Sequence, residues 1–166
     1  SKVYALSGLR AAYLCASPHQ LEELKVITPP WSVSLPAQIA ATYALHANDY
    51  YTMRYWETKE LREKLIQELS TMGITEIIPG IANFVMFHLP ETMDTAESIV
   101  KKCRDGGLFL RNVAGMGSEV GHRAMRMAVK DEETNNRMLE IFRNALNQTN
   151  SIPGKDVINE PIFTSY

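Results

Sequence analysis

Alternation is cleanest over residues 124–130, AMRMAVK: Met125, Met127 and Val129 fall on one side, and Ala124, Arg126, Ala128 and Lys130 on the other. A two-residue period predicts a strand with one buried face. Helical periodicity is cleanest over 51–72, where Leu61, Leu65, Ile66, Leu69 and Met72 recur three and four apart, Glu and Lys fill the other face, and Gly73 stops the run. Between and after these segments, ITEIIP and NFVMFHL predict strands, and Asp94 and Glu97 open a helix that Gly106 closes. LFLR predicts one more strand. Asp131 caps a last helix that reaches residue 147, with Met138, Leu139, Ile141, Phe142 and Leu146 on its buried side. The order β-β-α-β-β-α predicts a small α+β domain over residues 57–148.

The front of the chain has a different texture. AAYLCA, residues 11–16, is a short apolar run and predicts a buried strand. Ser17-Pro18 with Gln20 forms a capping box and predicts a helix over 19–26, which TPPWS ends. PAQIAATYALHAN predicts an Ala-rich helix over 36–48. One strand and two or three helices cannot build a sheet, so residues 1–56 are expected to be the end of a larger domain. Residues 149–166, with two prolines and no period, predict an exposed tail in which Ile162 and Phe163 are the side chains suited to docking.

Composition narrows the partners. The 45% hydrophobic and 22% charged content excludes wholesale disorder. A formal charge of −2 gives no reason to expect nucleic acid or an anionic membrane. No apolar run approaches the ~18 residues of a membrane helix, and no secretion signal opens the chain. Cys15 and Cys103 lie in separate predicted elements, which suggests reduced core thiols in a cytoplasmic protein. The four histidines are scattered and no Cys/His pair has ligand spacing, so no metal is expected.

Two strings hold candidate chemistry. The first is the opening SKVYALSGLR. Lys2 is either a solvated lysine near a chain end or an amine able to condense with a carbonyl. Arg10 is either one half of a surface ion pair or a planar fork for a phosphate, with the Ser1 hydroxyl as an added donor. Gly8 allows a tight turn or a close backbone approach. The second string is LFLRNVAGMGSEVGHRAMRMAVK. Arg126 projects between two alanines, either on a plain exposed face or as an anion clamp with room beside it. Arg123 is a competitor, but it precedes the clean alternation. Asn83 is either a strand-edge turn residue or a hydrogen-bonding group near a site. Trp31 suits a core or an interface.

The string SKVYALSGLRAAY resembles the Schiff-base segment of the fold-type-I pyridoxal-phosphate enzymes, the aspartate-aminotransferase superfamily. Lys2, Tyr4, Leu6, Gly8, Leu9, Arg10 and Tyr13 stand at matching places, and Ala12 stands where glycine is commoner. ANF at 82–84, PPWSVSLPAQIAA and the Arg126 strand follow in the family's order. A second arginine on the preceding strand, Arg111, resembles the histidinol-phosphate aminotransferase branch and the related threonine-phosphate decarboxylases. The resemblance implies an α/β architecture: the end of a three-layer αβα cofactor domain, followed by the small α+β domain. It implies that Lys2 holds pyridoxal 5′-phosphate covalently and shuttles a proton, and that Ser1 and Arg10 anchor its phosphate. Arg126, Arg111 and Asn83 would bind the substrate. The implied reaction moves an amino group between an amino acid or amino-phosphate and a 2-oxo acid, in a homodimer. In this family the aromatic, Asp and Asn that contact the pyridine ring precede the lysine, so the chain is expected to be the C-terminal part of a longer protein. RMAVK lacks the glycine that many aminotransferases have after the Val, which leaves a decarboxylase open, as well as a non-catalytic binding remnant.

Overall fold

The computed structural model describes residues 3–78, 80–117 and 120–148, together with the backbone of 162–163. The chain divides into two compact units, Ser1–Tyr55 and Trp56–Tyr166.

In the first unit, helix α1 (Pro18–Ile27) starts at the predicted capping box. Ser17 Oγ accepts from the Gln20 N–H at 3.4 Å, and Gln20 Oε1 accepts from the Ser17 N–H at 3.2 Å. Helix α2 (Leu35–His46) begins ahead of the alanine pattern because Ser34 caps it, accepting from the Ala37 N–H at 3.4 Å. Helix α3 (Asn48–Thr71) starts in this unit and ends in the second.

Two expectations fail here, and for Trp31 one of two alternatives is set aside. The strand predicted over 11–16 does not form: the backbone is irregular from 11 to 17, and of these residues only Ala11 is buried. A strand persists only where a partner strand takes up its N–H and C=O groups, and the described residues of this unit hold no other strand. Cys15, expected in a core, is therefore exposed. Trp31 is 94% exposed, so it is no part of this unit's core.

In the second unit α3 ends in a Schellman motif. Gly73 takes φ +86°, its N–H donates to Ser70 O, and the Ile74 N–H reaches back to Leu69 O at 3.2 Å. Strands β1 (Glu76–Ile78) and β2 (Phe84–His88) follow, then helix α4 (Ala96–Asp105). The segment LFLRN then divides into β3 (Leu108–Phe109) and β4 (Arg111–Asn112). Strand β5 (Ala124–Ala128) and helix α5 (Glu132–Asn147) follow, and Ile162–Phe163 forms β6. The main sheet is antiparallel in the order β1-β2-β5-β4, while β3 pairs in parallel with β6. The single predicted strand LFLR thus serves two sheets, handing over at Leu110.

The core lies against one face of the main sheet. Val85 and Phe87 of β2 and Met125 and Met127 of β5 meet Leu65 and Leu69 of α3, Ile99 and Cys103 of α4, and Met138 and Phe142 of α5. The Phe87 and Phe142 rings meet edge to face at 5.7 Å. Burial pushes the Cys103 thiol up to about 12, so it stays protonated and behaves as a small apolar side chain.

Two local devices hold this unit in shape. Buried Asn135 closes the end of β5 onto α5: its Oδ1 accepts from the Lys130 N–H and its Nδ2 donates to Lys130 O, both at 2.9 Å. Gly106 ends α4, where an added Cβ would stand 2.8 Å from Ile141 Cγ2. That methyl belongs to a β-branched side chain with little rotamer freedom. Gly106→Ala should therefore lower stability by about 1–3 kcal/mol, read as the midpoint shift in urea. An unchanged midpoint would remove the packing argument.

Asp131 is the N-cap of α5. Its Oδ1 accepts from the Thr134 N–H at 2.9 Å, and its Oδ2 from the Thr134 hydroxyl at 2.8 Å. These bonds hold the carboxyl below its ordinary range. A carboxyl lowered by folding stabilises above its unfolded pKa, and that contribution is lost as pH falls through the folded value. Asp131→Ala should cost about 1 kcal/mol at neutral pH, and Asp131→Asn much less. The gap between wild type and Asp131→Ala should close below about pH 4, as thermal unfolding across pH would record.

Candidate functional site

The first candidate constellation is the loop that follows Lys2. Ser1 and Lys2 themselves lie outside the described residues. From Val3 to Arg10 the chain turns twice, with Leu9 N–H to Leu6 O at 3.2 Å and Arg10 N–H to Ser7 O at 3.3 Å. Ala5 and Arg10 both take positive φ, 54° and 59°. Non-glycine residues hold that conformation only where surrounding contacts impose it. Gly8 is not among the positive-φ residues, and a Cβ there would meet nothing within 4 Å. Gly8 thus stands at a central position of both turns, which do not call on a positive φ there.

Contacts from α3 hold this loop. Tyr55 Oη donates to Val3 O at 2.8 Å and Tyr51 Oη donates to Tyr4 O at 3.3 Å. The Tyr4 ring stands edge-on to Tyr51, with centroids 4.9 Å apart. Arg10 is exposed, and its guanidinium makes one long bond to Ser7 O at 3.4 Å. No carboxylate pairs with it among the described residues. Its planar fork is thus available to an external anion, which is the donor chemistry a phosphate requires.

The second constellation lies on the open face of the sheet in the second unit. Arg126 in β5 faces Arg111 in β4 directly across the antiparallel pair. Residues paired this way share a face, with Cβ atoms about 5 Å apart, and like charges there repel. The two arginines therefore stand side by side without an ion pair among the described residues. Burial, and then the neighbouring Arg111 charge, lower the Arg126 pKa. Both effects disfavour a second unneutralised cation, and a bound anion would relieve both. The Arg126 guanidinium lies 4.6 Å from the Phe84 ring centroid. Phe84 opposes Ala128 in the register, so its ring reaches Arg126 diagonally. That ring lies under the side chain and keeps it along the sheet.

Arg123 is used elsewhere. It donates to Leu89 O at 3.1 Å, Pro90 O at 2.7 Å and Met93 O at 2.6 Å. Three carbonyls of the β2–α4 connection occupy its fork, so it is a structural clamp on that loop. Asn83 is exposed, and its carbonyl accepts from the Val129 N–H at 2.8 Å. It stands one residue before Phe84, at the alternate position to the face that carries the arginines.

Three contributors carry no sequence signal of their own: Phe84 beside Asn83, and Tyr51 and Tyr55 within a helical stretch. Only the i,i+4 spacing of the two tyrosines hinted that they share a helix face.

The model for the family described as "Aminotransferase class I and II" matches residues 1–142. A curated protein of Rhodopseudomonas palustris (strain BisB5), "Histidinol-phosphate aminotransferase", is 30% identical over 149 residues, which cover 89% of this chain and 40% of that protein. Among solved structures, the histidinol-phosphate aminotransferase from Clostridium acetobutylicum superposes with a TM-score of 0.81 at 23% identity, over 89% of this chain and 44% of that one. The Sinorhizobium meliloti histidinol-phosphate aminotransferase, solved in complex with pyridoxal-5′-phosphate, gives a TM-score of 0.77 at 22% identity, over 88% and 39% of the two chains. The chain thus spans about 40% of the length of the curated relatives it matches.

Proposed function

From a chain that belongs to the class I and II aminotransferase family, we propose a pyridoxal-phosphate-dependent transfer of an amino group between an amino acid or amino-phosphate and a 2-oxo acid. The observation that carries the reading is the Arg111–Arg126 pair, two adjacent cations on one sheet face without a carboxylate among the described residues. Such a pair suits a substrate that carries a phosphate or carboxylate.

In this proposal Lys2 holds the cofactor through its Nζ. Arg10 and the Ser1 hydroxyl grip the phosphate, and Arg10 is suited to this because, among the described residues, its fork meets only Ser7 O. Arg126, with Arg111, orients the substrate's anion; Asn83, at the alternate position to their face, takes no part in holding it. The cofactor supplies an electron sink for the pair released at the substrate's α-carbon. Lys2 Nζ would hold the cofactor and, as a free amine, would move the proton at the substrate's α-carbon. The first unit is, in this reading, the end of a three-layer αβα cofactor domain, and the working form is a cytoplasmic homodimer.

The test is chemical. The full-length protein is incubated with pyridoxal phosphate, reduced with borohydride and digested, and the labelled peptide is sequenced. Label on Lys2 is expected; label spread over surface lysines would overturn the assignment. Product analysis with an amino-phosphate substrate separates an oxo product from carbon dioxide, the product of the threonine-phosphate type of decarboxylase.

A further inference from the structure

We propose that Tyr51 and Tyr55 are positioning residues for Lys2: their hydroxyls hold the backbone carbonyls of Tyr4 and Val3, and so fix the chain immediately after the lysine. This rests on the reading of Lys2 given above.

The two tyrosines stand four residues apart on α3 and therefore on one helix face. Each donates its phenolic hydrogen to a consecutive carbonyl of the loop, Tyr55 to Val3 at 2.8 Å and Tyr51 to Tyr4 at 3.3 Å. The loop needs such an anchor. It is made of turns, it has no ladder partner, and Ala5 sits at φ 54°. The Tyr4 ring, packed edge-on against Tyr51 at 4.9 Å, adds a third point of attachment. Both bonds require protonated phenols. Burial, then the neighbouring Tyr4, Tyr51 and Tyr13, raise the Tyr55 pKa above its ordinary value, which keeps the donor in place.

Only the Lys2–Val3 peptide and the two Val3 backbone torsions separate the held carbonyl from the lysine's Cα. An amine that must meet both a cofactor aldehyde and a substrate α-carbon tolerates little displacement, and an error of about 1 Å costs on the order of 10²-fold in rate. A helix is a stiffer support for this purpose than a loop.

The experiment compares full-length wild type with Tyr55→Phe, Tyr51→Phe and the double variant. Phenylalanine deletes only the hydroxyl and keeps the ring packing. Four readouts are taken: the rate of borohydride-trappable labelling of Lys2 by pyridoxal phosphate, the circular dichroism of the bound cofactor, kcat and KM, and thermal unfolding. For the double variant the expected result is slower labelling, altered cofactor dichroism and kcat lowered by about 10- to 100-fold, with KM for the anionic substrate nearly unchanged. Each single variant should show a smaller effect of the same kind. Double-variant labelling, dichroism and kcat equal to wild type overturn the inference, as does a lowered unfolding temperature with those three unchanged. A wild-type protein that traps nothing on Lys2 instead overturns the cofactor reading beneath it.

Discussion

Lys2→Ala should abolish covalent uptake of pyridoxal phosphate and lower turnover of the full-length enzyme by about 10³- to 10⁴-fold. The lower part of that range is what a positioned acid–base group contributes alone, and loss of the covalent tether adds to it. Unfolding in denaturant, measured alongside, separates loss of the amine from loss of the fold. Absorbance in the visible band, present in wild type and missing in the variant, is the direct measurement. A variant that still forms a borohydride-stable adduct at one defined lysine would move the catalytic amine elsewhere. Lys2→Arg should fail equally, since a guanidinium keeps its charge and cannot act as the amine.

Arg126→Ala should reduce kcat/KM for an anionic substrate by about 10²- to 10³-fold, equivalent to about 3–4 kcal/mol of lost transition-state binding. Most of the loss should appear in KM. The physical basis is the geometry of the open sheet face: Arg126 opposes Arg111 in the register and lies over the Phe84 ring. Arg126→Lys should recover little of the activity, because a point charge neither forks onto two oxygens nor lies as well on the ring. Removing the cation also relieves the repulsion from Arg111, so the folded protein should be no less stable. The control is a neutral amine substrate, whose kinetics should barely change. An equal fall for both substrates would show that the residue supports the strand and does not bind the anion.

Much of the fold follows from patterns that need no long-range information. Ser17 with Gln20, Asp131 and Gly73 mark helix ends, because a cap answers to backbone groups within four residues of it. The two faces of β5 follow from strict alternation, and the adjacency of Arg111 and Arg126 follows once the two strands pair. What was hidden depended on register or on distant carbonyls. Phe84 reaches Arg126 only because Phe84 opposes Ala128, a fact that no single strand contains. Arg123 looked like a rival for the substrate because its three acceptors lie in a loop about 30 residues away. AAYLCA looked like a strand because an apolar run reports burial preference but says nothing about a pairing partner. LFLR looked like one strand, although its two halves bond to different sheets.

That last feature has an evolutionary corollary. With Leu108–Phe109 committed to β6 and Arg111–Asn112 committed to β5, a single residue, Leu110, separates the two commitments. Inserting or deleting one residue there would invert the side-chain parity of β4 relative to β3 and take Arg111 off the face it shares with Arg126. Selection on this lineage should therefore hold the length of 108–112 constant. Gains and losses of residues should collect in the glycine-rich connection over 113–123, where a change of length leaves both pairings intact.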